Sequence, residues 1–223
     1  MSAPETDVPR GAGRLIDRFS RSSRWVHWLT AILMTVCILT AAVLYNGSLA
    51  VIVGHRYLVE QVHVYSGLAL PVPLLAGFVS RTFRGDASRL NRFTSGDWAW
   101  LRSRSRRDGT LEVGKFNAGQ KVNAALSAGS IGVLLTSGVV MYFTRLTPLP
   151  WRSGATFVHD WFALAVGLLV VGHVVMATKD PDAMAGMRTG RVPLRWARRE
   201  HAGWAREVAG EPPDGIPDRP SRD

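Results

Sequence analysis

The chain has 223 residues, of which 47% are hydrophobic, and a formal net charge of +10. That length suits one soluble domain, but the apolar residues gather into four long runs instead of spreading as a soluble core spreads them, which excludes an ordinary water-soluble fold. A basic balance can signal nucleic acid, yet the arginines here flank the apolar runs and carry no RNA- or DNA-binding motif, so membrane lipid is expected as the partner and nucleic acid is not.

A helix needs about 20 apolar residues to cross the hydrocarbon core. The runs Trp25–Tyr45, Leu58–Val79, Val122–Thr144 and Ala155–Ala177 all reach that length with few charges. They predict an all-α integral membrane protein, a four-transmembrane-helix bundle over residues 25–178.

Taken in chain order, residues 1–24 read as a disordered cytoplasmic tail that meets the membrane at Trp25 and Trp28, residues suited to an interfacial aromatic belt. The first run is too long, and lacks the cleavage site, for a secretory signal. It holds the single cysteine, Cys37, which reads as a small buried apolar residue; no CxxCH motif offers covalent haem attachment. A short connection, 46–57, carries His55, read as solvated. Pro71 and Pro73 should kink the second helix, because each removes a backbone donor. The long loop from Ser80 to Gly119 is expected to include an interfacial helix over Ser95–Arg102. The third run is rich in small residues, with Ala125/Gly129 and Ala128/Gly132 spaced for close approach of a helix or a flat ring. Residues 179–223 read as a cytoplasmic basic tail, with Pro193–Val208 an amphipathic helix on the membrane surface, His201 solvated or interfacial and the last fifteen residues disordered.

The charges sort by side. Of the 27 Lys and Arg, 24 lie before the first run, between the second and third, or after the fourth; only Arg56, Arg145 and Arg152 lie in the other two connections. The positive-inside rule then places both termini in the cytoplasm.

Four of the six histidines lie within the runs: His27, His63, His159 and His173. An ionisable residue at membrane depth is costly and marks a functional site by default. Singly, each reads equally well as a hydrogen-bonded core side chain; together they sort by depth. His27 and His173 lie near the cytoplasmic ends of helices one and four, and His63 and His159 near the outer ends of helices two and four. His159 and His173 are fourteen residues apart, which returns them to within about 40° of one helix face and separates them by about 21 Å along the axis. That pattern suits two b-type haems stacked along the bundle, each iron gripped by two imidazoles that leave no open coordination position. Small residues at Ser66, Gly67, Gly167 and Gly172 leave room for porphyrin edges. A zinc site would want about four ligands in one cluster, and Glu60 and Asp160 are the only other ligand types nearby. A transporter whose histidines bind no haem is the remaining alternative.

With these residues placed, the chain resembles the cytochrome b (gamma) subunit of membrane-bound formate dehydrogenases, within the cytochrome b561-like dihaem group that also serves nickel–iron hydrogenases. The resemblance runs from about Arg14 to Ala209. It rests on Trp25-Val-His-Trp28, on His63, on the His159/His173 interval, on Gly114-Lys-Phe-Asn-Ala-Gly-Gln-Lys121 and on the tail around Trp196 and Trp204. It implies a multi-pass protein of the bacterial inner membrane with no substrate-level catalytic residue of its own. An iron–sulfur (beta) subunit would deliver electrons from a molybdopterin catalytic (alpha) subunit, and two haem b would carry them to a quinone, menaquinone or ubiquinone. It assigns His63 and His159 to the haem near the donor and His27 and His173 to the cytoplasmic haem. It places quinone contacts at Asn117, Gly119 and His173, with Gln120 a further candidate. The polar stretch Met176–Asp182 departs from the family pattern, and a hydrogenase or another respiratory oxidoreductase is the alternative partner.

Overall fold

A computed structural model of the chain describes residues 13–104 and 111–210. The disorder expected at the start of the chain and over its last fifteen residues falls largely outside these residues. The elements run in the order β1 (Leu15–Asp17), α1 (Arg21–Tyr45), α2 (Gly47–Val53), α3 (Arg56–Ala69), α4 (Pro71–Gly77), α5 (Arg81–Leu90), α6 (Ser95–Arg102), α7 (Ala118–Tyr142), α8 (Leu149–Thr178), α9 (Pro181–Thr189), β2 (Arg191–Pro193), α10 (Leu194–Glu200) and α11 (Ala202–Ala209). They fall into two compact units, one built on residues 20–88 and 122–179 and the other on the described parts of 1–19, 89–121 and 180–223.

The larger unit holds the four spans: α1, α3 with α4, α7 and α8 are each long and apolar enough to cross a membrane. The expected kink falls where the prolines put it. α3 ends at Ala69, the Leu70 N–H donates to Gly67 O three residues back, and Pro71 opens α4 at a position that needs no donor. The last span starts at Leu149, six residues earlier than its apolar run, because Pro148 and Pro150 suit a helix start and Trp151 and Arg152 continue it. α1 packs closely along α3 and α4. One apolar cluster joins all four spans at mid-height: Met34 and Cys37 from α1, Leu70 beside α4, Ile131 from α7 and Val166 from α8. Elsewhere the spans turn large apolar side chains outward, among them Ile32, Leu39, Leu75, Leu164 and Leu168, a surface that only lipid or a partner helix satisfies.

The smaller unit departs from the sequence reading. Leu15–Asp17 is a strand, and Arg21–Arg24 already belong to α1, whose cap is Ser20 accepting from Ser23 N–H. β1 pairs antiparallel with β2, setting Ile16 opposite Val192. One long amphipathic helix over Pro193–Val208 is replaced by α10 and α11, broken at His201. The break folds the two aromatic residues of the tail inward, so that Trp196 and Trp204 are buried with Ile16, Val192 and Leu194. Each large apolar side chain buried this way contributes about 1.5–3 kcal/mol.

His201 is 1% exposed, not solvated. Its Nδ1 lies 2.7 Å from Gly114 O and its Nε2 3.0 Å from Arg18 Nη2. A carbonyl only accepts and a guanidinium only donates, so the proton sits on Nδ1. Arg18 also donates to Lys115 O and lies over the Trp196 ring at 4.5 Å and the Trp204 ring at 5.5 Å. The Arg18 charge, in a segment expected to be disordered, is therefore held by a carbonyl, an imidazole and two aromatic faces.

α6 spans Ser95–Arg102 as expected. Its Asp97 accepts from the Thr94 N–H and hydroxyl and pairs with Lys121 at 2.6 Å, both partners nearly excluded from solvent. Burial alone would raise the Asp97 carboxyl, but Lys121 and the two Thr94 donors outweigh it and hold the group below its ordinary value. Lys121→Met leaves Asp97 buried without its cation and should cost about 3–5 kcal/mol, read as a fall in the midpoint of thermal unfolding in detergent. Because the folded value is depressed, the wild-type advantage over this variant should be full above the unfolded carboxylate value, about 3.9, and fade as pH falls through the lower folded one.

Candidate functional site

All four intramembrane histidines lie on the spans, His27 on α1, His63 on α3 and both His159 and His173 on α8. They meet in the pairs that depth predicts. The His27 and His173 rings have centroids 6.2 Å apart, and the His63 and His159 rings likewise 6.2 Å. His27, His63 and His159 are half-buried and His173 is exposed. α8 is one unbroken helix from Leu149 to Thr178, so fourteen residues at about 1.5 Å each put the two levels about 21 Å apart along it. Val166, at the midpoint of that interval, is 3% exposed within the apolar cluster. The two levels are thus separated by packed hydrocarbon.

The chemistry of the donor set decides what each pair can hold. Metal–imidazole bonds run about 2.0–2.1 Å, and each ring centre lies about 1.1 Å beyond its nitrogen, so two rings sharing one metal have centroids about 6 Å apart. Both pairs match that spacing. Among the described residues no group of three or more His, Cys, Asp or Glu gathers as a metal site, so a tetrahedral zinc centre does not fit, whereas a macrocycle that brings its own four nitrogens needs only these two.

Space is present as well. The helices that share each pair do not pack backbone to backbone as α1 and α3 do. A Cβ added at Gly67, Gly167 or Gly172 would meet nothing within 4 Å. Gly77, by contrast, is crowded, since its added Cβ would lie 2.7 Å from Val26 Cγ2.

Two residues of the site escaped the sequence reading. The Thr40 hydroxyl lies 2.9 Å from His63 Nδ1, and the Ser137 hydroxyl 3.0 Å from His159 Nδ1. Hydroxyls on apolar helices are common, and nothing in their spacing singles these two out. Cys37 is buried as expected, its thiol 4.0 Å from His63 O, and His55 is exposed.

Asn117, Gly119 and Gln120 stand at the start of α7. The Asn117 side-chain oxygen accepts from Gln120 N–H at 2.9 Å, and the Gln120 side-chain oxygen accepts from Asn117 N–H at 3.1 Å. This is a reciprocal cap that satisfies two backbone donors. Gly119 packs against Trp100, whose Cη2 would lie 3.1 Å from an added Cβ. The preceding residues of the same stretch are tied into the smaller unit: Gly114 O lies 2.7 Å from His201 Nδ1, Lys115 O accepts from Arg18, and Phe116 packs against Phe19. The Gly114–Lys121 stretch therefore has a structural role along its whole length.

Comparison with known proteins agrees with this geometry. The nitrate-inducible formate dehydrogenase cytochrome b556(Fdn) subunit of Escherichia coli K12 is 32% identical over 100 residues, 44% of this chain and 46% of that protein, so the match spans about half the length of that relative. The formate dehydrogenase cytochrome b556(fdo) subunit of the same strain is 27% identical over 206 residues, covering 86% of this chain and 93% of the relative. The formate dehydrogenase cytochrome b556 subunit of Haemophilus influenzae is 33% identical over 99 residues, 42% of this chain and 41% of its own. The sequence profile described as prokaryotic cytochrome b561 matches residues 18–190, a stretch that holds every span and every paired histidine. With four apolar helices and this profile over more than half of its length, the chain belongs to the prokaryotic cytochrome b561 family.

Proposed function

We propose that this chain is the dihaem cytochrome b subunit of a membrane-bound formate dehydrogenase, passing electrons from an iron–sulfur subunit across the membrane to a quinone. The observation that carries the reading is the pair of imidazole couples, each with a 6.2 Å centroid separation, set on opposite halves of one bundle. When bound, haem b would supply a one-electron iron centre, one held by His63 and His159 and the other by His27 and His173. The chain's own part is to fix those imidazoles on rigid helices and to keep water out of the layer between the levels with Met34, Leu70, Ile131 and Val166. The formate dehydrogenase names of the relatives favour that enzyme over a hydrogenase as the donor.

The direction of transfer rests on topology. Arg-rich segments before α1, between α4 and α7 and after α8 favour a cytoplasmic location for both termini, and the pairing of β1, before α1, with β2, after α8, supports a shared side for the first and last of them. His63 and His159 then face the donor, and His27 and His173 the cytoplasm. Quinone reduced on the cytoplasmic side takes its protons there, so each turnover contributes to a proton-motive force. Asn117, Gly119, Gln120 and His173 are the proposed quinone contacts, with the Asn117 amide as a donor to a quinone carbonyl.

A redox titration of the purified protein, followed in the reduced-minus-oxidised spectrum, should resolve two b-type components. His63→Ala should abolish one and His27→Ala the other, while His55→Ala leaves both; retention of both in His63→Ala refutes the pairing. In the complex purified from native membranes, an iron–sulfur subunit and a molybdopterin subunit should accompany the chain, and formate should reduce both components. Asn117→Asp keeps a good helix cap but removes the amide donor. It should slow reoxidation by quinone about tenfold or more, the loss expected for about 1.5 kcal/mol of hydrogen bonding, with reduction by formate unchanged. A hydrogenase large subunit in place of the molybdopterin protein would reassign the donor.

A further inference from the structure

Thr40 and Ser137 make the same arrangement on two different helices. The Thr40 hydroxyl donates back to Val36 O at 2.7 Å, with Cys37 O also at 3.1 Å, and faces His63 Nδ1 at 2.9 Å. The Ser137 hydroxyl donates back to Val133 O at 2.7 Å, with Leu134 O at 3.2 Å, and faces His159 Nδ1 at 3.0 Å. A hydroxyl has one proton. With that proton committed to a carbonyl one turn back, its oxygen can only accept from the imidazole. Each Nδ1 therefore carries the hydrogen, and each Nε2 is left with the lone pair that an axial ligand needs.

The helices involved make this more than local capping. His63 and His159 come from α3 and α8, while Thr40 and Ser137 come from α1 and α7. Gly138 lets α7 lie against the ring it supports: an added Cβ there would be 3.4 Å from His159 Cε1. All four spans thus converge on this one couple. Among the described residues, neither ring of the His27/His173 couple has a hydroxyl partner of this kind.

We propose that Thr40 and Ser137 are positioning residues for the haem held by His63 and His159. They lock both rings in the ligating tautomer and, by accepting the Nδ1 proton's hydrogen bond, raise the basicity of the ligating nitrogens. A more basic axial pair favours ferric iron, so the two hydroxyls hold this haem at a lower potential than it would have without them. The inference rests on the dihaem reading above.

The test uses the complex purified from native membranes with Thr40→Val, Ser137→Ala, the double variant and Thr40→Ser, each measured for haem-to-protein ratio and by redox titration. The component that His63→Ala abolishes identifies the haem in question. In the double variant that component should move to a more positive potential by up to about tenfold in its one-electron equilibrium, about 59 mV, while the other stays in place. Thr40→Ser, which restores the hydroxyl, should match the wild type. Loss of that haem alone in Thr40→Val, with retention in Thr40→Ser, also supports the assignment. Two haems retained with neither potential moved, or an equal shift of both, overturns it. Wild-type protein without b-type bands would instead overturn the dihaem reading itself.

Discussion

The separation of two imidazole rings, 6.2 Å between centroids at each of two levels, governs how the four spans are arranged. α8 contributes to both couples, and neither α1 nor α3 packs against it backbone to backbone. All four spans meet between the two histidine levels. Met34, Cys37, Leu70, Ile131 and Val166 fill mid-height, seven residues along α8 from either ligand. This layer keeps charge and water out of the space between the two histidine levels.

A membrane bundle gains little from burial among its own helices, since lipid tails are as apolar as leucine. The smaller unit draws on aqueous forces instead. Its three segments lie far apart in the chain, and they are joined by a two-strand ladder, two buried tryptophans and Arg18, which reaches an imidazole, a carbonyl and aromatic faces at once. The Arg89–Glu207 pair adds an exposed tie between two of those segments, of the sort that contributes about 0–1 kcal/mol. The Gly114–Lys121 stretch runs through this unit and into α7. A sequence signature there accordingly serves the fold.

Much of the fold was legible in the sequence because membrane constraints are local. Length and apolarity mark the spans, Pro71 marks the break, and fourteen residues between His159 and His173 mark two levels on one face. The helix expected over Ser95–Arg102 is α6, with the same bounds. What stayed hidden depends on contacts between distant segments. Leu15–Asp17 has too few residues to announce a strand, and its partner lies some 175 residues away. Trp196 and Trp204 have the spacing of a membrane-surface helix, and only the break at His201 turns them inward. A basic segment reads as disordered when its aromatic partners are elsewhere in the chain, as Arg18 shows. Thr40 and Ser137 were invisible for a different reason: a hydroxyl bonded to its own helix looks the same in sequence whether or not a histidine stands beside it.

The account is most directly tested by an experimental density map of the protein isolated from its native membrane in mild detergent. It predicts two flat, ring-sized features, one bridging His63 and His159 and the other His27 and His173, each with its strongest density midway between the imidazoles. Side chains or lipid packed between either pair of rings, with no such feature, would contradict it.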